Sequence, residues 1–293
     1  MEDVPERIYQ RILQKLLMKS IPKICYMYFG GSSNLPMLMV FTVISFHRLN
    51  PDWQIILYRT KQTNAELGRS PYDYSYTGKD YFHLIEAMDF VEIRTIDVDE
   101  LGINRDVHSI LGSDIFRTKV LYEKGGLYSD LDVIWLKPMS ELVNASCIGD
   151  PADFECSVCF YNLTHGHHTV SNLIAKAGSP FLASVIEEQG KIRPPYADCS
   201  FSTFLLNRKY PTLDTITSKY PRVLALRYET FYPYSIFEME RLWLKNDLLP
   251  IESKNVICVH WFNGHPLSVE YTNRDKFEFN CSMTSILKKE DYI

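Results

Sequence analysis

The feature that most constrains the fold is the run of residues 113–138, which reads SDIFRTKVLYEKGGLYSDLDVIWLKP. Its apolar spacing predicts a helix over 113–124, a Gly-Gly turn and a strand over 127–136. The strand is rich in Leu, Val, Ile and Trp, as buried strands are, yet it contains Asp130 and Asp132. Carboxylates are costly to bury without a compensating partner, so the run has to be explained by chemistry as well as by folding.

The residues around the predicted helix suit its two ends. Ser113 is a good N-terminal cap, and Gly125 is placed to end the helix in a left-handed conformation. Asp114 and Arg117 are three residues apart, so they share one face of the helix. On the strand that follows, the two aspartates point to the same side because side chains alternate. We therefore expect the strand to end, or to open into a cleft, at about the second aspartate.

Outside this run, strands and helices are predicted to alternate. Strands are expected over 21–31, 54–60, 91–97, 156–162 and 256–262, and helices over 35–49, 171–190 and 201–210. Such alternation predicts an α/β fold with a mixed, mostly parallel sheet covered by helices on both faces. Residues 61–80 are polar and rich in tyrosine, and we interpret them as a surface loop rather than an acceptor platform. Because no linker divides the chain, a single domain over 1–293 is expected.

The composition excludes some classes of protein. The net charge of −5 does not fit a nucleic-acid-binding surface. The 7 cysteines are an odd number spread over 293 residues, which favours reduced thiols and a cytoplasmic location. Residues 1–20 have the spacing of an amphipathic helix and do not resemble a signal peptide. We expect this helix to dock on the protein body, which leaves peripheral membrane contact open.

The two aspartates suggest a metal site. Neighbouring carboxylates on one side of a strand repel each other, and a divalent cation would compensate for both charges. Oxygen ligands suit Mg²⁺ or Mn²⁺, and these ions usually hold substrate phosphates as well. The alternative is a loop carboxylate combined with a surface salt bridge, because short D-x-D triplets also arise by chance.

The wider pattern S-D-x-x-R…L-Y-x-x-G-G-x-Y-x-D-x-D resembles the DXD-motif glycosyltransferases of the GT-A type. This family includes the yeast initiating α-1,6-mannosyltransferases and the α-1,4-galactosyltransferases, and the pattern is also similar to the catalytic domain of clostridial glucosylating toxins. The matching residues are Asp114, Arg117, Tyr122, Gly125, Gly126, Tyr128, Asp130 and Asp132. The resemblance implies a GT-A-type (Rossmann-like) fold with a nucleotide-sugar-binding half over 21–138 and an acceptor-side half over 139–293.

Two further segments resemble the same family. The stretch IPKICYMYFGG resembles its opening strand, with Tyr28 where an aromatic ring stacks on the nucleotide base. The late stretch VHWFNGH places His260 where related transferases complete the metal site. There Trp261 would donate its indole N–H to a phosphate, and Gly264 would allow a close backbone approach. The alternatives are a half-buried strand tyrosine and a core His-Trp pair.

The resemblance implies a metal-dependent glycosyltransferase that uses a nucleoside diphosphate sugar, with UDP preferred, and a glycan or glycoconjugate acceptor. Asp132 and His260 would bind Mn²⁺ or Mg²⁺, and Asp130 would contact the metal through water, or the ribose and sugar. Asp114 and Arg117 would hold sugar hydroxyls, with Arg117 also near the diphosphate. Tyr128 belongs to the same donor-binding set.

The resemblance also implies that the anomeric configuration is retained. An inverting enzyme would need a carboxylate base, for which Asp198 is the candidate; its alternative role is a helix N-cap.

Several other functions compete with this interpretation. A sugar nucleotidyltransferase also uses metal-bound aspartates, but it normally has a glycine-rich basic loop near the N-terminus. A glycosidase needs two carboxyl groups on either side of a sugar, and a non-catalytic carbohydrate-binding protein needs neither arrangement. A zinc site is a further alternative, but the strand predicted over 156–162 would point its two thiols to opposite faces. Its candidate ligands are Cys156, Cys159, His165, His167 and His168.

Overall fold

The computed structural model describes most of the chain. The described residues are 21–31, 34–63, 76–101, 109–145, 147–150, 153–160, 168–169, 171–191, 209–274 and 277–293. The helix predicted over 1–20 lies outside them, as do Asp198 and most of the helix predicted over 201–210. Among the described residues, no helix combines the length and apolar character that crossing a membrane requires.

The first half of the described chain alternates strands and helices. Its elements are β1 (Ile24–Gly31), α1 (Met37–Leu49), β2 (Gln54–Thr63), α2 (Phe82–Glu86), β3 (Val91–Ile96), α3 (Ser109–Lys124), β4 (Gly126–Tyr128) and β5 (Val133–Trp135). The second half is less regular and its elements are shorter. They are β6 (Cys147–Ile148), β7 (Cys156–Phe160), β8 (His168–Thr169), β9 (Leu173–Ala175), α4 (Pro180–Gln189), α5 (Leu213–Lys219), β10 (Val223–Arg227), α6 (Met239–Trp243), β11 (Cys258–His260), α7 (Pro266–Asn273) and α8 (Ser282–Lys289).

The described strands form one large sheet and one small one. The large sheet has nine strands in the order β3-β2-β1-β4-β9-β7-β10-β6, with β8 paired to β7. Strands β1, β2, β3 and β4 are parallel to one another. Strand β9 is antiparallel to both of its neighbours, β4 and β7, so β7 has the same direction as β4. Strand β10 is parallel to β7 and therefore has this direction too. The predicted mixed, mostly parallel α/β sheet is therefore confirmed. The small sheet pairs β5 with β11 antiparallel.

Helices cover both faces of the large sheet. Side chains alternate along β1, so Met27 belongs to the core that contains α1, while Tyr26 belongs to the core on the opposite face, which contains Phe116 of α3. Burial on both faces is what a parallel sheet requires. Strand β7 follows the same rule, because Cys156 and Cys159 belong to opposite cores. This confirms the predicted divergence of their thiols.

The structure corrects the predicted strand over 127–136. The chain forms β4 in the large sheet, leaves that sheet after Tyr128, and starts β5 in the small sheet at Val133. The aspartates thus lie in the connection between two sheets, not inside a strand. The turn before β4 depends on glycine, since Gly126 has a φ of 114° and a Cβ there would lie 2.7 Å from the Ile24 carbonyl oxygen. An L side chain is disfavoured on both counts.

Two further boundaries differ from the predictions. Helix α3 begins at Ser109, so Ser113 lies inside it and does not cap its N-terminus. The helix predicted over 171–190 is a central strand, β9, followed by the shorter α4. Pairing with β4 and β7 on its two sides outweighs the helical spacing of its apolar residues. Helix α4 starts after the Gly-Ser pair at 178–179, where the Ser179 hydroxyl accepts a hydrogen bond from the Leu182 N–H.

Candidate functional site

The site lies where the carboxyl ends of the parallel strands meet the small sheet. Strand β4 ends at Tyr128, and Asp130 and Asp132 follow within four residues. Pairing between β5 and β11 sets His260 opposite Val133, the residue after Asp132. In open α/β sheets, crevices outside the carboxyl ends of strands are the usual ligand sites. The topology therefore brings an imidazole from the end of the chain to two carboxylates from its middle.

Three side chains converge on one point. One ligand atom from each of Asp130, Asp132 and His260 lies within 4.8 Å of the others. Nε2 of His260 is 3.2 Å from Oδ1 of Asp132 and 3.7 Å from Oδ2 of Asp130. These are the three residues predicted to bind metal, and the structure brings them together.

The other oxygen of each carboxylate is held by the protein. Oδ1 of Asp130 accepts a 3.0 Å hydrogen bond from the Tyr128 hydroxyl and lies 3.2 Å from Nη2 of Arg117. Oδ2 of Asp132 accepts a 2.8 Å hydrogen bond from the Asn263 backbone N–H. Each aspartate therefore has one oxygen that fixes its orientation and one that is turned toward His260.

The surroundings of His260 set its charge. Burial by itself lowers the pKa of His260, but Asp132 and Asp130 outweigh burial and raise it to about 9. Burial likewise raises the pKa of Asp132, yet His260 and the Asn263 N–H bring it below its ordinary value. One contact opposes a second proton on the imidazole, because the Phe262 N–H donates to Nδ1 at 3.2 Å. We therefore place the proton of the neutral ring on Nε2, facing the carboxylates.

These residues fit a divalent cation. Nε2 of His260 is buried and makes no well-directed hydrogen bond although Asp132 lies 3.2 Å away. Two carboxylate oxygens and one imidazole nitrogen form a donor set that Mn²⁺ accepts readily, and Mg²⁺ favours the oxygens. Ligation through Nε2 would require the ring proton on Nδ1, where the Phe262 N–H now points.

Arg117 links the helix to the aspartates. Its Nη2 lies 3.0 Å from Oδ1 of Asp114 and donates a 2.9 Å hydrogen bond to the Ser113 hydroxyl, and the guanidinium lies 4.7 Å from the Tyr128 ring centre. Burial lowers the pKa of Arg117, but Asp130 and Asp114 outweigh it and the net pKa is raised. The predicted shared helix face is confirmed. Two carboxylates, Asp114 and Asp130, thus share one guanidinium, and Asp132 adds a third acid to the site, which leaves negative charge for a cation to balance.

The remaining predicted donor-binding residues lie at different depths. Tyr28 is buried, its ring stacks on Phe116 with centroids 5.1 Å apart, and its hydroxyl has no hydrogen-bond partner. Burial raises the pKa of that hydroxyl. Trp261 is fully buried, and its indole Nε1 has no hydrogen-bond partner. Gly264 lies exposed in the turn between β11 and α7.

Asn172 is a residue that the sequence analysis missed. Its side chain is 1% exposed, and neither its amide nitrogen nor its amide oxygen has a hydrogen-bond partner. It immediately precedes β9, whose Leu173 pairs with Tyr128 at the end of β4. An unpaired buried amide costs free energy, and Asn172 precedes the residue paired with Tyr128, two positions before Asp130, so it points to a polar ligand at this end of β4. The signal was hidden because residues 171–179 were assigned to a helix.

Comparison with known proteins confirms the predicted family resemblance. Residues 36–149 match the family model described as the glycosyltransferase sugar-binding region containing the DXD motif. This match covers the aspartates, Arg117 and the strand-helix pattern before them. No curated protein sequence matches the chain.

Solved glycosyltransferase structures share a distant similarity with the chain. PaToxG glycosyltransferase is 17% identical, with a TM-score of 0.44 over 73% of this chain and 81% of that chain. The galactosyltransferase LgtC, in complex with donor and acceptor sugar analogs, is 10% identical, with a TM-score of 0.43 over 86% and 94%. A glycosyltransferase involved in glycosylation of the major capsid of PBCV-1 is 10% identical, with a TM-score of 0.42 over 86% and 99%. Similarity at this level does not transfer residue roles.

Proposed function

We propose, from the glycosyltransferase sugar-binding region that residues 36–149 carry, that this protein moves a sugar from a nucleoside diphosphate sugar to a hydroxyl group of a glycan or glycoconjugate. UDP-sugar is the preferred donor, and the reaction depends on Mn²⁺ or Mg²⁺. The observation that carries the proposal is the convergence of Asp130, Asp132 and His260 within 4.8 Å. A bound divalent cation would neutralise charge on the leaving diphosphate.

The protein's own contribution is to hold the ligand atoms in place. The Asn263 N–H orients Asp132, while Tyr128 and Arg117 orient Asp130. Preorganised polar groups of this kind spare the site reorganisation during the reaction. Because these partners engage only one oxygen of each aspartate, the second oxygen remains turned toward the metal position.

The sugar ring is expected beside Asp114, Arg117 and Asn172. The guanidinium lies against both Asp114 and Asp130, so it joins the sugar side of the site to the diphosphate side. The unpartnered amide of Asn172 offers two donors and an acceptor, which match sugar hydroxyls. These groups support donor selection, and Asp198 stays a candidate base only for an inverting reaction.

The transfer step requires no reactant other than a sugar nucleotide and an acceptor alcohol. The acceptor oxygen forms a bond to the anomeric carbon, and the bond from that carbon to the diphosphate oxygen breaks with its electron pair. In the retaining course that the resemblance implies, the acceptor proton passes to the departing diphosphate oxygen. That course requires no further carboxylate base.

A hydrolysis assay tests the proposal. The full chain is incubated with UDP-glucose, UDP-galactose or UDP-N-acetylglucosamine, with Mn²⁺ or with EDTA, and released UDP is measured. We expect at least one donor to be hydrolysed slowly with Mn²⁺ and not with EDTA. GDP-mannose is tested alongside them to show whether the protein prefers a uridine or a guanosine diphosphate sugar. Release of pyrophosphate from UTP and a sugar phosphate would instead identify a nucleotidyltransferase, and binding without turnover a carbohydrate-binding protein.

A further inference from the structure

Three further aromatic rings pack around His260 and next to one another. The Phe262 ring lies 4.3 Å from the His260 ring, and Tyr232 lies 5.1 Å from His260 and 5.9 Å from Phe262. Tyr228 stacks on Tyr232 with centroids 4.5 Å apart and an interplanar angle of 20°. Tyr232 is buried, whereas Tyr228 and Phe262 are partly exposed. We call Tyr228, Tyr232 and Phe262 the aromatic row.

Phe262 is held in an unfavourable backbone conformation. Its φ is 50°, and a bulky residue in this left-handed region is an outlier. The conformation is maintained from both sides, since the Phe262 N–H donates to His260 and the Asn263 N–H donates to Asp132. Backbone strain that persists under such constraint clusters at functional sites. The candidate metal ligands themselves thus determine where this ring lies.

The sheet order separates the aromatic row from the expected nucleotide position. From β1 the chain proceeds to β2 on one side, and it later returns to β4 on the other side of β1. Nucleotides bind at such a reversal of strand order, which here lies between β1 and β4. Tyr228 follows β10, which is separated from β4 by β9 and β7 on the opposite side. The row is therefore displaced toward β10 from the expected base.

We infer that the aromatic row is the surface on which the acceptor is bound, with the C–H groups of a pyranose ring packed against the exposed parts of Phe262 and Tyr228. This inference rests on the proposed function. Aromatic faces suit the C–H face of a sugar, while its hydroxyls stay in water or point to polar groups. Because Phe262 packs against His260, a sugar on this ring has its hydroxyl edge next to the metal position. That is where an acceptor oxygen has to reach the donor's anomeric carbon.

Saturation-transfer NMR with simple glycosides tests the inference. The probes are methyl β-glucopyranoside, methyl β-galactopyranoside and methyl α-mannopyranoside, added to the full chain with UDP and Mn²⁺. We expect ring C–H protons of at least one glycoside to receive saturation from the protein. Phe262→Ala and Tyr228→Ala are each expected to weaken the binding of that glycoside by about threefold to tenfold. Tyr228→Phe keeps the ring and is expected to keep binding.

Matched controls lie elsewhere on the surface. Phe237 is 94% exposed and Tyr122 is 37% exposed, and neither belongs to the site, so Phe237→Ala and Tyr122→Ala are expected to bind the glycoside like wild type. Calorimetry with UDP and Mn²⁺ is run on the same variants. If the Phe262 and Tyr228 variants bound UDP and the glycoside equally weakly, the row would belong to the donor nucleotide site and the inference would be overturned. Glycoside binding that the two row variants leave unchanged, or no contact with any glycoside, would also overturn it.

The same calorimetry separates this inference from the proposed function. If wild type binds no UDP in the presence of Mn²⁺, the proposed donor is wrong, whatever the glycosides do. If UDP binds but the Phe262 and Tyr228 variants bind the glycosides as wild type does, the assignment of the acceptor surface is wrong and the proposed function stands.

Discussion

The backbone N–H of Asn263 donates a 2.8 Å hydrogen bond to Oδ2 of Asp132, which lies 131 positions earlier in the chain. This bond holds one carboxylate oxygen and leaves Oδ1 turned toward His260, 3.2 Å from Nε2. An asparagine at position 132 would still present an oxygen to the backbone N–H, but it would lack the charge. Replacing Asp132 with asparagine therefore tests metal binding without removing the hydrogen bond from Asn263.

Asp132→Asn is expected to abolish metal binding while preserving the fold. Transfer and donor hydrolysis should fall by about 10²-fold or more, the scale of a lost catalytic metal. Circular dichroism should stay native, and titration with Mn²⁺ followed by electron paramagnetic resonance should show the ion unbound. Asp153→Asn, at an exposed aspartate 3.3 Å from Lys176, is the control. Wild-type turnover by Asp132→Asn in EDTA would contradict a metal role.

Arg117→Lys is expected to reduce turnover by at least about tenfold. Lysine keeps the charge but not the planar fork that reaches Ser113, Asp114 and Asp130 together. The affinity for UDP should fall less than turnover, because UDP lacks the sugar. Arg117→Ala removes the cation from buried Asp114 and should cost about 3–5 kcal/mol of stability.

Turnover, UDP calorimetry and melting temperature together test the role of Arg117. The control is Arg222→Lys, at a half-exposed arginine whose guanidinium is 3.8 Å from Glu155. Turnover of Arg117→Lys within about twofold of wild type, well below the 1.4 kcal/mol of a tenfold change, would remove this residue from the donor site.

His260 is expected to couple pH to stability and to metal binding in opposite directions. Its folded pKa is raised to about 9 from an ordinary 6.5. The charged ring therefore stabilises the metal-free protein fully below about pH 6.5, and this contribution is lost as pH rises through about 9. Ligation needs the neutral ring, so affinity for Mn²⁺ should increase over the same window.

Melting temperature and Mn²⁺ affinity measured across this window check the prediction. His260→Gln cannot titrate and serves as the reference, since every other titrating group is common to both proteins. Parallel stability profiles for wild type and His260→Gln would show that the Phe262 N–H at Nδ1 prevents the second proton.

Tyr28 offers a test of base stacking that does not perturb the fold. Its hydroxyl is buried without a hydrogen-bond partner, so Tyr28→Phe should keep or slightly raise the melting temperature. If the ring stacks on the base, Tyr28→Phe should keep UDP affinity and Tyr28→Leu should weaken it by about 1–2 kcal/mol. Calorimetry that finds the leucine variant equal to wild type would leave Tyr28 a packing residue against Phe116.

Phe262→Gly is expected to be more stable than Phe262→Ala. Both changes remove the ring, but only glycine adopts a φ of 50° without a steric cost of about 1–2 kcal/mol. Greater freedom of glycine in the unfolded chain offsets part of this gain. Chemical denaturation of both variants gives the difference directly. A more stable alanine variant would show that this turn relaxes when the ring is removed.

Local patterns were sufficient to predict most elements of the first half of the fold. Period-two and helical spacings are properties of neighbouring residues, so β1, α1, β2 and β3 were predicted close to their observed bounds. The same reasoning failed over 127–136 and 171–179. An apolar run looks alike whether it stays in one sheet or leaves it, and a buried central strand can carry helical spacing.

The sequence by itself determined which chemical groups the protein possesses and their order: paired aspartates after a glycine turn, an acid and an arginine one helical turn apart, and a late histidine. Only the tertiary structure decided that these groups meet. Antiparallel pairing of β5 with β11 brings His260 to the aspartates, and the turn at Phe262 and Asn263 orients them. Pairing of distant segments depends on which surfaces can be buried together in three dimensions, and no local spacing encodes that choice.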